Sequence, residues 1–272
     1  MGRALLLACT LMLSGCVERM FFYPDRVQYM RPADVGLAHE DVDITTADGV
    51  RLHGWWLPAQ GAARGSVLHL HGNAANVSNH LPLVAWLPPA GFNVLMVDYR
   101  GFGASEGTPA PDSVVEDGLA ALRYLRARGD TDPARLIVFG QSLGGATALR
   151  VLARDAEGVR LAIIDSAFAS YRGIARDAAI GSIVLAPLAP LAGMLPDAAS
   201  DPETAVAQLR LPLLFVYGTA DQVIPPNHSD RLHAAANEPK RLIVAPGARH
   251  MEALMRRDVQ AQVMAAMLEA LR

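Results

Sequence analysis

The chain of 272 residues has only two cysteines, Cys9 and Cys16, and both lie at its extreme N-terminus. Everything after residue 16 therefore lacks thiol chemistry, a disulfide framework and any cysteine-based metal site. That scarcity suits an oxidising compartment. Net charge is scarce too. Basic residues number 24 and acidic residues 27, a formal charge of −3, which leaves no electrostatic footprint for nucleic acid. Internal repeats and low-complexity segments are missing, so the chain is neither a solenoid nor a flexible array. With 51% hydrophobic and 19% charged residues, it can bury a large core and is not disordered. Its length fits one large domain or two small ones, and α/β folds of this size are often single.

The N-terminus carries a separate signal. After Met1-Gly2-Arg3, the apolar run Ala4 to Leu13 is too short to span a bilayer but suits a secretory h-region. It ends Leu13-Ser14-Gly15-Cys16, which resembles the lipobox of bacterial lipoproteins. That resemblance implies cleavage after residue 15 and lipidation of Cys16, with several acyl chains giving a stable anchor. The expected location is the bacterial cell envelope, facing the periplasm or exterior. An ordinary secretory signal and a buried N-terminal helix are the alternatives. Residues 16–30 then form a membrane-proximal tether whose aromatics are expected to pack on the domain. It is not a flexible Gly/Ser linker.

From residue 31 onward strand-like and helix-like runs alternate. Val42 to Thr45 and Val50 to Leu57 are joined through Asp48-Gly49, a hairpin signal. Ser66 to His71 and Asn93 to Tyr99 read as buried strands, with a helix over roughly 78–90 between them, broken or bent at its prolines. Ser113-Val114-Val115-Glu116 is a capping box opening a helix to about Arg128. Later strands are Arg135 to Phe139, Leu161 to Asp165, Leu213 to Gly218 and Arg241 to Val244. A helix over 227–236 separates the last two, and one over 251–271 closes the chain. This alternation predicts a mostly parallel sheet with right-handed crossovers. Between Ser170 and Pro212 the run Ile180 to Leu195 is apolar and punctuated by proline. It reads as a cap inserted over the strand ends, about 171–211. A buried helix with long loops is the alternative.

The chemistry centres on Gly140-Gln141-Ser142-Leu143-Gly144, a G-x-S-x-G between a buried strand and a helical pattern. That context makes Ser142 a candidate nucleophile on a tight elbow. A serine hydroxyl needs a base, and a histidine held by a carboxylate fits best. His250 follows the last predicted strand. Asp221 follows the strand ending Tyr217-Gly218, giving the chain order Ser, Asp, His. Asp165 also ends a strand and is the competing acid, while Asp98 reads as structural. His228 and His233 fall on a predicted surface helix and read as solvated; His69 reads as a packed core residue. Oxyanion donors are expected at the N–H groups of Leu143 and of Asn73, which follows His71-Gly72. The Gly-rich stretch Arg100 to Gly107 has no lysine at P-loop spacing and reads as a loop near the site. No metal-ligand set is visible, serine chemistry requires none, and no cofactor is expected.

His71-Gly72-Asn73, Asp98 to Gly107, Gly140 to Gly145, Gly218 to Asp221 and Gly247 to His250, in that order, resemble the α/β-hydrolases. The likeness runs from about Phe21 to the end and is similar to the branch of membrane-associated lipid hydrolases and protein depalmitoylases. It implies a central, mostly parallel sheet with helices on both faces, a Ser142–Asp221–His250 triad, and acyl ester or thioester substrates. A serine peptidase and a non-catalytic envelope scaffold are the competing classes.

Overall fold

Strands rich in Val, Ile and Leu pair into one eight-stranded sheet. The computed structural model describes residues 22–180, 186–194 and 201–272; Cys9, Cys16 and the signal segment lie outside them. In chain order the strands are β1 (Tyr23–Pro24), β2 (Glu40–Thr45), β3 (Arg51–Leu57), β4 (Gly65–Leu70), β5 (Ala74–Ala75), β6 (Phe92–Val97), β7 (Leu136–Gln141), β8 (Val159–Asp165), β9 (Leu213–Gly218) and β10 (Lys240–Ala245). The large sheet has the order β10-β9-β8-β7-β4-β6-β3-β2, and β1 pairs separately with β5. Among the described strands of the large sheet β3 alone points opposite to the rest, because the Asp48-Gly49 turn folds it back on β2. β4, β6, β7 and β9 are buried along their whole length. A parallel sheet covered on both faces needs such unbroken apolar strands.

The helices are α1 (Val77–His80), α2 (Ser113–Ala127), α3 (Leu143–Arg154), α4 (Tyr171–Ile180), α5 (Pro202–Val206), α6 (Pro226–Ala235) and α7 (Arg257–Ala270). The alternation of side chains along a strand divides the core. Leu68 and Leu70 of β4 pack in the layer holding α2 and α3, while Val67 packs in the layer holding α7.

Three expectations need correction. The helix predicted over 78–90 stops at His80 and tightens into a short 3-10 turn, Leu81–Leu83, around Pro82. The capping box at Ser113 does not form. Ser113 is the first helical residue, and its hydroxyl instead accepts the Ala110 N–H at 2.8 Å; the preceding turn competes for it. The closing helix begins at Arg257 rather than Met251. Met251 has φ +57°, a left-handed conformation that no right-handed helix contains, and a short 3-10 turn intervenes.

Between β8 and β9 the chain inserts α4, a 3-10 segment (Ala186–Met194) and α5; 181–185 and 195–200 lie outside the described residues. The ends of the insertion meet. Glu203 N–H donates to Ala169 O at 3.0 Å, and Tyr171 N–H donates to Asp201 Oδ1 at 2.9 Å.

Candidate active site

Parallel strands carry their C-terminal ends to one edge, and the candidate site is assembled there. At the centre, β7 passes straight into α3 through Ser142, which has φ +54° and ψ −117°. A serine in that region is strained and persists only where its surroundings fix it. Its N–H donates to Asp165 O at 2.8 Å, and its carbonyl accepts the N–H groups of Gly145 and Ala146. The flanking glycines follow from packing. A Cβ on Gly144 would collide with Leu70 O, and one on Gly140 with Gly144 O. Leu143 is the first residue of α3, so its N–H has no carbonyl one turn back.

Across the sheet edge, His250 Nδ1 lies 2.8 Å from Asp221 Oδ2. A carboxylate only accepts, so Nδ1 carries the proton and Nε2 of the neutral ring is left as an acceptor. Asp221 is buried, and its Oδ1 accepts the N–H groups of Val223 and Ile224, both at 2.9 Å. Asp165 is engaged elsewhere. Gln141 Nε2 donates to its Oδ2 at 2.8 Å and Ser166 Oγ to its Oδ1 at 3.0 Å. Burial raises its pKa to about 6, against the lowering effect of those two bonds. Gln141 Oε1 in turn faces His69 Nε2 at 2.9 Å, so a polar ladder of His69, Gln141 and Asp165 crosses three strands beneath the elbow. Burial holds His69 neutral, with a pKa of about 3.

Gly72 joins the two halves of the site. A Cβ placed there would stand 3.5 Å from Ser142 Cβ and 3.6 Å from Met251 Sδ. The loop bearing Asn73 thus lies against both the elbow and the residue after His250. Among the described residues no hydrogen bond joins the Ser142 hydroxyl to the His250 ring.

Several residues play parts that the sequence reading missed. His80 is buried and donates from Nε2 to Ala74 O at 3.1 Å, holding the Asn73 loop from within. His71 donates from Nδ1 to Gly72 O at 2.7 Å, and Tyr99 donates its hydroxyl to His71 O at 3.1 Å. Asn76 N-caps α1 by accepting Ser78 N–H at 3.0 Å. An Asn immediately before the helical pattern was the available signal. His228, expected to be solvated, is buried. Its Nδ1 accepts the Ala169 N–H at 3.1 Å, and its Nε2 donates to Asp177 Oδ2 of α4 at 3.1 Å. The apolar face of a short helix hid it. Asp98 is buried and accepts Val77 N–H at 2.8 Å, in keeping with its structural reading. Arg100 bonds Asp117 and Asp48, so the Gly-rich stretch after β6 is fixed by an ion-pair network. The aromatics of the segment before β2 divide: Phe22 is buried, whereas Tyr23 is 66% and Tyr29 51% exposed. Among the described residues no cluster of three or more His, Cys, Asp or Glu could hold a metal ion.

A family model described as serine aminopeptidase, S33, matches residues 61–193 and 186–254. The chain is 42% identical over 251 residues to YfhR of Escherichia coli (strain K12), covering 90% of this chain and 84% of that one. It is 33% identical over 237 residues to the alpha/beta hydrolase domain-containing protein WAV2 of Arabidopsis thaliana, covering 81% and 75%. The Pyrococcus furiosus esterase Pf2001 superposes with a TM-score of 0.75 at 22% identity, covering 92% of this chain and 97% of that one. This last likeness speaks to the fold.

Proposed function

The chain belongs to the serine aminopeptidase S33 family of α/β-hydrolases, and on that premise we propose that it is a serine hydrolase of carboxylic esters or thioesters. The observation that carries the reading is Ser142 at positive φ on a strand-to-helix elbow, on the sheet edge where His250 meets Asp221. In this mechanism Ser142 Oγ attacks the acyl carbonyl while His250 Nε2 takes its proton. The carbonyl oxygen becomes an oxyanion held by the Leu143 and Asn73 N–H groups. Collapse breaks the bond to the alcohol or thiol, which leaves with the proton from His250. Water, deprotonated by the same imidazole, then hydrolyses the acyl-enzyme and frees Ser142. Asp221 holds the ring in the tautomer this requires and stabilises its charged form.

Peptide hydrolysis is the second reading, prompted by the description of the matching family. An aminopeptidase needs an acid to hold the substrate ammonium. Asp221 is occupied by His250 and two N–H groups, and Asp165 by Gln141 and Ser166, so neither of these two would supply it. The test is fluorophosphonate labelling and turnover of p-nitrophenyl esters beside aminoacyl p-nitroanilides. Wild type should label and cleave esters; folded Ser142→Ala should do neither. Asp221→Asn should lose far more kcat than Asp165→Asn. Normal turnover by Ser142→Ala, or anilide cleavage without ester cleavage, would overturn the assignment.

The proposal extends to the N-terminus: residues 1–15 as a cleaved signal, lipidated Cys16 as the anchor, 16–30 as the tether, and 31–272 as the hydrolase domain with its insertion. Lipid-like acyl substrates, as in the depalmitoylase branch, suit such a location. Cys16→Ser should move the protein from the membrane fraction to the soluble fraction, whereas equal membrane retention would reject the anchor.

A further inference from the structure

The segment running from Phe22 to Tyr29 lies outside the large sheet, yet it bonds directly to the loop that carries Asn73. Its β1 pairs in parallel with β5, Tyr23 opposite Ala74 and Pro24 opposite Ala75. Tyr23 N–H donates to Asn73 Oδ1 at 3.3 Å, and Asp25 N–H donates to Ala75 O at 3.4 Å. The buried Asn76 side chain donates from Nδ2 to Asp25 Oδ1 at 2.9 Å and to Val27 O at 2.8 Å. The segment is itself held to the body. Phe22 is buried in the core cluster that also holds α2 and α3, Gly103 N–H donates to Asp25 O at 2.8 Å, and Tyr29 N–H donates to Ser78 Oγ at 2.9 Å.

The loop needs outside support. Ala75 has φ +59° without being glycine, a conformation that persists only when its surroundings over-determine it. His71, His80 and Tyr99 bond the loop on its inner side, and the Phe22–Tyr29 segment bonds it on the other. We infer that this N-terminal strap is a positioning element of the reaction: it sets where the Asn73 N–H points, through Tyr23 N–H and the Asp25–Asn76 bridge. The inference rests on the proposed oxyanion role of Asn73. Oxyanion donors act on the transition state, so a displaced donor lowers kcat without weakening substrate binding.

The experiment uses the full chain with Tyr23→Pro, which removes the N–H, Tyr23→Ala, which keeps it, and Asp25→Ala, which breaks the bridge. Measured for each are kcat and KM for p-nitrophenyl butyrate, Ki for a trifluoromethyl ketone that adds to Ser142, and the melting temperature. Removing a whole oxyanion donor costs roughly a hundredfold or more, so a displaced one should cost about tenfold in kcat. Tyr23→Pro and Asp25→Ala should lose that factor, with KM within about twofold and Ki for the ketone weakened in parallel with kcat. Tyr23→Ala should match wild type. If Tyr23→Pro fails to fold, Asp25→Ala decides. Wild-type kcat in the folded variants, or losses in KM and melting temperature with the ketone unaffected, would show a purely structural strap and overturn the inference while leaving Ser142 in place. A wild-type chain that neither labels nor turns over would instead sink the underlying hydrolase reading, and the inference with it.

Discussion

At the residue scale, the ladder of His69, Gln141 and Asp165 shows how the elbow is supported from below. Gln141 can satisfy both neighbours only if its Oε1 accepts from His69 and its amide donates to Asp165. His69 is therefore protonated on Nε2 and neutral. Burial depresses its folded pKa to about 3, against about 6.5 in an unfolded chain. For a depressed pKa, the stabilising effect is complete above the unfolded value. It is lost as pH falls, because only the unfolded chain takes up the proton. Between pH 6 and 4 this residue should make wild-type stability fall by about 1.4 kcal/mol per pH unit. His69→Gln should flatten the acid limb by about that slope in urea melts at several pH values. An unchanged slope would show that His69 does not set it.

At the element scale, the insertion is held to the body at α4. His228 of α6 accepts the Ala169 N–H and donates to Asp177, bonding the stretch before α4 and α4 itself at once. His228→Ala should strand a buried N–H and cost about 1–3 kcal/mol. His228→Asn should recover part of that, since its Oδ1 can take the place of Nδ1. Equal melting temperatures for the two variants would argue against the Ala169 bond. None of this was legible in the sequence, where a histidine on a ten-residue amphipathic helix looks like any solvated one. Other features were legible because they rest on local rules. Gly140 and Gly144 mark the elbow by the collisions any side chain would cause there. Asp48-Gly49 marks the hairpin, and the unbroken apolar runs of β4, β6, β7 and β9 mark central parallel strands. The positions of Asp221 and His250 followed from chain order, since each sits just past the C-terminal end of a strand. What failed were boundaries. Ser113 lost its cap to a competing turn, and Met251 turned left-handed where helical periodicity continues. Asn76 acts through contacts with Asp25 and Val27, distant in sequence, and His80 through a fold-back onto Ala74 O of its own loop, neither of which spacing alone reveals.

At the scale of the whole molecule, the meeting of Glu203 N–H with Ala169 O and of Tyr171 N–H with Asp201 makes the stretch between them a cassette. Its two ends are neighbours, so closing a shorter connection between them costs little entropy. A chain in which residues 172–200 are replaced by a short Gly/Ser turn should fold with its sheet intact, as read by circular dichroism, and should still react with a small fluorophosphonate at Ser142. Collapse of that chain would show instead that the segment is part of the folding unit. The sheet with its elbow and the stretch that joins those two hydrogen bonds would then be separable by transplantation: a foreign segment grafted across the same two bonds would leave the elbow as it is.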